Sequence, residues 1–425
     1  MGESSQKTTK VGFARFAGAG LLQIIAYILG LFALAAAFFA SALMLNSPIV
    51  MMVLGLLFAA GTIALGSYMS GKLFKLEKPK LYMIIQTGIL TMALGGLVVC
   101  FILQPLVPKA DQFVAASVKG AEFWDLPTGS KIVVRKYSAQ TSETKRPIII
   151  LHGGPGAYSV SFEPMVDVYS KLTANGHDVY FYDQIGGGLS ARLNDISEYS
   201  LDRHIDDLKA IRDRIGSDQV ILIGSSWGAT LAANYLAKYP NDVSRIIFSG
   251  PGPIYRPDWT EIADGNLDEK MNKEQKKRFD STIEKPRLFT ALILADINPE
   301  AAARFAPEQE MGSFFDKIAN EHYLPLTMCD PTKVKATSNG YGFWSSRMTG
   351  KTLINRTDDP KPVLKKTNLP VLVLRGTCDY KKEAVAKQYA SVFPNSKFIA
   401  VEGTGHMIYG ENPDEYLRLV RDFLQ

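Results

Sequence analysis

The chain has 425 residues, 47 Lys and Arg against 42 Asp and Glu, a net charge of +5 and three cysteines. That is more than one ordinary domain. No basic patch interleaved with aromatics points to nucleic acid, three cysteines do not make a disulfide scaffold, and five scattered histidines (152, 177, 204, 322, 406) offer no metal-ligand spacing. No metal or other cofactor is expected.

Phe16 to Gly71 contains no Asp, Glu, Lys, Arg or His. One helix of that length would measure roughly 84 Å against a bilayer core of about 30 Å, so it must break. Asn46, Ser47 and Pro48 in "LNSPIV" supply the break. Transmembrane helices are therefore expected at 17–45 and 49–70, and a third charge-free run predicts one at 81–104. No polar face survives in any of the three, which argues against a buried soluble hairpin. Lys7, Lys10 and Arg15 precede the first span, and Lys72, Lys75, Lys78 and Lys80 separate the second from the third. These segments belong on the cytoplasmic side. The expectation is a multi-pass protein of the cell membrane, its N-terminus cytoplasmic and everything after residue 109 extracytoplasmic. "ASA" at 40–42 imitates a signal-peptidase site, but the apolar run before it is too long for a signal peptide. Gly55, Ala59, Gly95 and Gly96 permit close helix packing, leaving open a homo-oligomer formed through these helices. No ionisable residue lies within the spans, which argues against transport.

From about residue 121 strands and helices alternate, as in a mostly parallel sheet covered on both faces. Expected strands are "KIVVRKYS", "RPIIILHGGPG", "HDVYFYDQIGGGLS", "QVILIG", "VSRIIFSGPGP", "LPVLVLRGTCD" and "SKFIAVEGTGH". Between Pro253 and Pro362 strand-like runs vanish and helical ones take over, an insertion too long for a plain loop. It reads as a cap over the strand ends, where open α/β sheets place their sites. The expected organisation is a membrane domain (1–109), an α/β core in two parts (110–252 and 363–425) and a helical cap (253–362).

"GSSWGATLA" at 224–232 fits G-x-S-x-G only with Ser226 at its centre, between a strand and a helix. In that context a sharp turn holds the serine strained and exposed. A hydroxyl needs a base, and the base an acid to fix its tautomer. Asp379 ends one later strand and His406 the next, giving the order Ser, Asp, His; Glu383 and Glu402 lie near Asp379 and compete for its role. The glycine amides of "HGGPG" (152–156) and the amide of Trp227 are candidate oxyanion donors, with His152 a structural residue.

"HGGPG", "YDQIGGGLS", "GSSWGATLA", "RGTCD" and "GTGHM" together resemble the proline iminopeptidase family of α/β-hydrolases, over about 120–255 and 365–425. The resemblance implies an α/β-hydrolase fold with a helical cap insertion, here preceded by three transmembrane helices that typical members lack. It implies a triad of Ser226, Asp379 and His406, oxyanion amides from Gly154 and Trp227, and Gly153 beside the substrate. The family removes an N-terminal residue, typically proline, and holds the free amine with cap glutamates. The match loosens there. "NEHYL" places Glu321 directly before His322, and the second glutamate has no clear counterpart, only Glu308 and Glu310 as candidates. The leading expectation is an aminopeptidase acting on peptides at the bilayer, with Glu321 holding the amine. A carboxylesterase or lipase for lipophilic esters, its pocket lined from "NGYGFWSS", is the alternative, and a non-catalytic receptor stands last.

Overall fold

The computed structural model describes residues 2–114, 116–260, 264–333 and 338–425; for residues 2–14 it describes the backbone alone, so the side chains of Lys7 and Lys10 lie outside it. Two compact units form: residues 1–106 with 284–307, and residues 107–283 with 308–425.

The first unit contains α1 (Gly2–Ser41), α2 (Pro48–Leu73) and α3 (Pro79–Leu97), the last prolonged by a π turn over Val98–Ile102. Each is long and apolar enough to cross a membrane, over Arg15–Ser41, Pro48–Leu73 and Pro79–Ile102. The break falls at 42–47. Ser47 caps α2 by accepting from the Val50 N–H, and Pro48 fills the first helical turn, where its missing donor costs nothing. The first helix ends at Ser41 rather than 45 because the amides of Leu43 and Met44 bond three residues back and tighten the chain into a turn. α2 presses closely on α1. A Cβ at Gly66 would overlap that of Ala26, and Gln23 donates to Ser67 Oγ at 3.0 Å while Ser70 donates to the Ala19 carbonyl at 2.8 Å. Gly55 packs against Leu34 of the same chain.

The second unit is built on an eight-stranded sheet: β1 (Ala121–Asp125), β2 (Lys131–Tyr137), β3 (Lys145–Leu151), β4 (His177–Asp183), β5 (Val220–Ser225), β6 (Val243–Ser249), β7 (Val371–Gly376) and β8 (Ser396–Val401). Its order is β1-β2-β4-β3-β5-β6-β7-β8, with β2 antiparallel to both of its neighbours and every other pair parallel. Period-two alternation splits the strand residues between two cores. Ile149, Leu151 and Leu222 face one helical layer; Ile148, Ile150, Ile221 and Ile223 face the other. The sequence reading missed β1, a five-residue edge strand whose "AEFWD" carries two acids and an exposed Phe123.

Helices α4 (Glu163–Tyr169), α5 (Leu201–Ile215) and α6 (Trp227–Lys238) follow β3, β4 and β5. The insertion before β7 then divides. α7 (Lys273–Ile283), α10 (Glu308–Ile318) and α11 (Phe343–Ile354) belong to the sheet unit, while α8 (Pro286–Ile297) and α9 (Pro299–Phe305) belong to the unit of the long apolar helices. The last helices, α12 (Glu383–Val392) and α13 (Pro413–Leu424), flank β8.

Cys329 and Cys378 form a disulfide that ties the insertion to the loop after β7, across 49 residues of sequence. Closing a loop of that size restricts the unfolded chain by about 4 kcal/mol on the chain-entropy account. A C329S/C378S variant is expected to melt several degrees lower in a thermal scan of the full-length protein. An unchanged midpoint would show that the crosslink adds no stability.

Candidate active site

Ser226 sits between β5 and α6 at φ 54° and ψ −118°; the one other described non-glycine residue with positive φ is Lys75. The conformation is costly for a residue with a side chain and persists only where the surroundings impose it. Here they do. Ser226 N donates to the Ser249 carbonyl at 3.0 Å, and its own carbonyl accepts from Ala229 and Gly252. Gly224 and Gly228 let strand and helix close on each other: a Cβ at Gly224 would strike the Gly228 backbone, and one at Gly228 would strike the Leu151 and His152 carbonyls.

His406 follows β8. Its Nδ1 lies 2.9 and 3.1 Å from the two Asp379 oxygens, and its backbone is fixed by donation to the Thr327 carbonyl at 2.7 Å. Asp379 is 7% exposed and also accepts from Lys381 N at 2.9 Å. Burial pushes its carboxyl up, but the opposing effects of His406, the Lys381 amide and Arg375 outweigh burial and hold it below the usual carboxylate range. Paired with an anionic carboxylate at Nδ1, the ring presents Nε2 as the base. Neither Glu383 nor Glu402 takes this place; both are exposed, and Glu383 pairs with Lys387.

The glycine loop is held by Gln184. Its side-chain amide donates to the His152 carbonyl at 3.2 Å, its carbonyl oxygen accepts from the Trp227 indole at 2.8 Å, and its backbone N–H donates to His152 Nε2 at 3.0 Å. His152 therefore carries its proton on Nδ1, which donates to the Gly153 carbonyl at 2.8 Å. Burial lowers His152 to about 4, so the ring stays neutral, as a structural residue should. One side chain thus joins the three motifs that the sequence separates. Trp227 is the first residue of α6, so its backbone N–H has no acceptor within the helix. Gly153 and Gly154 border the same cavity as Ser226, and a Cβ at Gly153 would sit 3.2 Å from that of Ser226. Asp183, next to Gln184 and wholly buried, accepts from the amides of Ser159, Val160 and Leu189 and so fixes the neighbouring loops.

Ser226 and His406 open onto a cavity of about 250 Å³ whose walls include Tyr158, Phe162, Met165, Leu324 and Tyr341. Among the described residues no carboxylate lines it. Glu321, expected to face a substrate amine, does not reach this cavity. It lies in a π turn over Ala319–Tyr323 with its side chain half exposed, beside Lys317 and His322, while Ala319 and Leu324 face the cavity instead. The wider turn changes which residues point inward, and sequence spacing does not reveal it. Glu308 is not a substitute: its carboxylate accepts from Phe343 N at 2.6 Å and Trp344 N at 3.0 Å, capping α11, and burial raises it to about 7. Glu310 is buried and likewise absent from the cavity wall. Two further acids escaped the sequence reading. Asp316 accepts from Ser338 Oγ at 2.5 Å and Gly340 N at 2.7 Å, and so shapes the wall carrying Ser338 and Tyr341. Glu411 accepts from the amides of Gly405, Cys329 and Asp330, fastening the loop before His406 to the disulfide.

A strained serine and a carboxylate-oriented imidazole at the ends of parallel strands define a serine hydrolase. The chain belongs to the α/β-hydrolase fold family, whose model matches residues 146–413. It is similar to the proline iminopeptidase of Heyndrickxia coagulans, 29% identical over 304 residues that cover 70% of this chain and 96% of that protein. It is also similar to the proline iminopeptidase of Clostridioides difficile, at 27% over 302 residues, 67% of this chain and 92% of the other. A thermophilic esterase from Thermogutta terrifontis shares the fold at 17% identity with a TM-score of 0.50, over 72% of this chain and 97% of its own.

The depressed Asp379 carboxyl fixes an acid response. A group lowered on folding contributes stability above its unfolded pKa, about 3.9, and that contribution fades as pH falls through the folded value. The stability difference between the native chain and Asp379→Asn is therefore expected to be full at pH 6 and to shrink below about pH 4. Denaturant titrations at pH 6 and pH 3 read it; a difference equal at both would contradict the assignment.

Proposed function

We propose that this chain is a membrane-anchored serine hydrolase that forms an acyl-enzyme on Ser226 and releases a small apolar N-terminal residue, with proline as the leading case, from peptides. The observation carrying the chemistry is the strained Ser226 facing one cavity together with an Asp379-paired His406. His406 takes the hydroxyl proton as Ser226 attacks the carbonyl, and returns it to the leaving amine. The amides of Gly154 and Trp227 receive the developing oxyanion. Water, deprotonated by the same imidazole, then clears the acyl group. Similarity to two proline iminopeptidases across most of their length supports a peptide substrate.

Three apolar helices support anchorage in a bilayer. The lysines between α2 and α3 favour a cytoplasmic position for that turn, and the Cys329–Cys378 disulfide favours an oxidising compartment for the hydrolase unit.

A second reading, an esterase for lipophilic acyl groups, is favoured by a cavity wall that among the described residues carries no carboxylate. An ammonium there would be desolvated without a counter-charge, at a cost an ester does not incur.

Full-length protein in detergent separates the two with prolyl-, alanyl- and leucyl-arylamides, their N-acetylated forms and a short acyl ester. Hydrolysis confined to free-amine substrates is expected, with kcat lowered on the order of 10⁶-fold in Ser226→Ala. Glu321→Ala is expected to stay within about twofold of the native rate, as a half-exposed residue outside the cavity wall should. Turnover of ester and acetylated amide alone would replace the aminopeptidase reading with the esterase.

A further inference from the structure

The helical hairpin at 284–307 lies, in sequence, between two cap helices of the hydrolase, α7 and α10, yet it packs with α1, α2 and α3. Its fastenings are specific. Asn298, between α8 and α9, caps α9 by accepting from Ala301 N at 3.0 Å. The same side chain shares its two amide hydrogens among the Ala42 carbonyl (2.8 Å), the Leu45 carbonyl (3.2 Å) and Asn46 Oδ1 (2.8 Å). Asn46 returns a hydrogen bond to Glu300 at 2.5 Å. Arg287, 8% exposed, donates to the Ile102 carbonyl at 3.2 Å and the Phe305 carbonyl at 2.7 Å, its guanidinium 4.7 Å from the Phe305 ring centre.

The fastened groups have one thing in common. Ala42 and Leu45 lie in the turn just past α1, and Ile102 ends the π turn that prolongs α3, so their carbonyls fall where the helical ladders stop. At the edge of a bilayer such carbonyls must find donors from the protein or from headgroup water. Asn298 and Arg287 supply them, and the positive guanidinium suits the negative end of α3. The hairpin therefore sits at the level where these helices end, on the side opposite Lys72, Lys75, Lys78 and Lys80.

Its outer face carries two large apolar side chains, with Asp296 exposed at the C-terminal turn. Phe289 and Ile293, one helical turn apart on α8, are 50% and 48% exposed, and Leu43, Met44 and Ile49 at the α1–α2 turn and Phe101 at the end of α3 are exposed as well. Exposed apolar side chains thus stand both at the ends of the long helices and on α8. In water that surface would be a liability; at the boundary of acyl chains and headgroups it is at home.

We propose that α8 is a membrane-interface helix that seats on the lipid surface through Phe289 and Ile293, so that part of the hydrolase's cap insertion is held by the bilayer itself. The proposal rests on the reading of α1, α2 and α3 as membrane spans. It makes the bilayer a direct partner of the insertion that also supplies Ala319 and Leu324 to the substrate cavity.

The test uses the full-length chain with Cys100→Ser and one new cysteine, Phe289→Cys or Ile293→Cys, carrying an environment-sensitive fluorophore in phosphatidylcholine–phosphatidylglycerol vesicles. Met92→Cys, exposed on α3, is the in-bilayer reference. At 289 and 293, lipids with a nitroxide high on the acyl chain are expected to quench at least half as strongly as at 92 and more than deep nitroxides do, with aqueous iodide nearly inert. That pattern corresponds to a depth of about 5–10 Å below the surface. Iodide quenching at 289 and 293 without lipid quenching, while 92 is quenched by lipid, would overturn the proposal and leave the spans intact. Quenching between labelled chains that rises with protein-to-lipid ratio would overturn it in favour of a second copy. Escape of all three labels from lipid quenchers would remove the spans and the proposal together.

Discussion

A serine held at positive φ is the constraint on which the rest of the catalytic unit depends. Ser226 can adopt it because β5 delivers the chain under strand hydrogen bonds, Ser249 takes its amide, and α6 begins immediately afterwards. None of this is available unless Gly224 and Gly228 allow strand and helix to approach within backbone contact. The same approach brings the end of β3 beside the serine, which is why the glycine loop lies where an oxyanion would form. Gln184 locks that proximity from the far side through the Trp227 indole and His152. Strain at the nucleophile, donors for the oxyanion and the polar node behind them are therefore one packing solution.

The acids of this unit divide sharply by task. Asp183, Asp316, Glu308 and Glu411 each accept backbone amides and hold a loop or helix end. Burial raises the carboxyls of Asp183, Asp316 and Glu308, the last to about 7. Asp379, buried as well, is instead held below the usual carboxylate range, because it faces the imidazole. Among the described residues the cavity wall is mainly aromatic and aliphatic, with hydroxyls and no carboxylate. Such walls select by shape and apolar contact.

What could be read from the sequence was whatever has a local cause. The elbow, the glycine loop and the strand-end Asp379 and His406 are local patterns, and short apolar runs ending in polar or glycine-rich turns marked seven of the eight strands. The apolar helices and their break at Asn46–Pro48 follow from composition. The cap was another matter. Glu321 looked like a substrate ligand in one dimension, yet a π turn decides which side of the chain faces the cavity. The Cys329–Cys378 bond joins two segments whose approach only the completed fold creates. Nor did any sequence pattern reveal that 284–307 would leave the cap for the long apolar helices, because its anchors, Asn298 and Arg287, are ordinary residues until their carbonyl partners are known.

The central claim is that Ser226 is the nucleophile and that His406, oriented by Asp379, activates it. Labelling the full-length protein with a fluorophosphonate and mapping the adduct by peptide mass spectrometry tests it most directly. The account requires a single phosphonyl adduct on the peptide containing Ser226, formed far more slowly in His406→Ala and Asp379→Asn. An adduct on another serine, or labelling of Ser226 at the native rate in both variants, would contradict it.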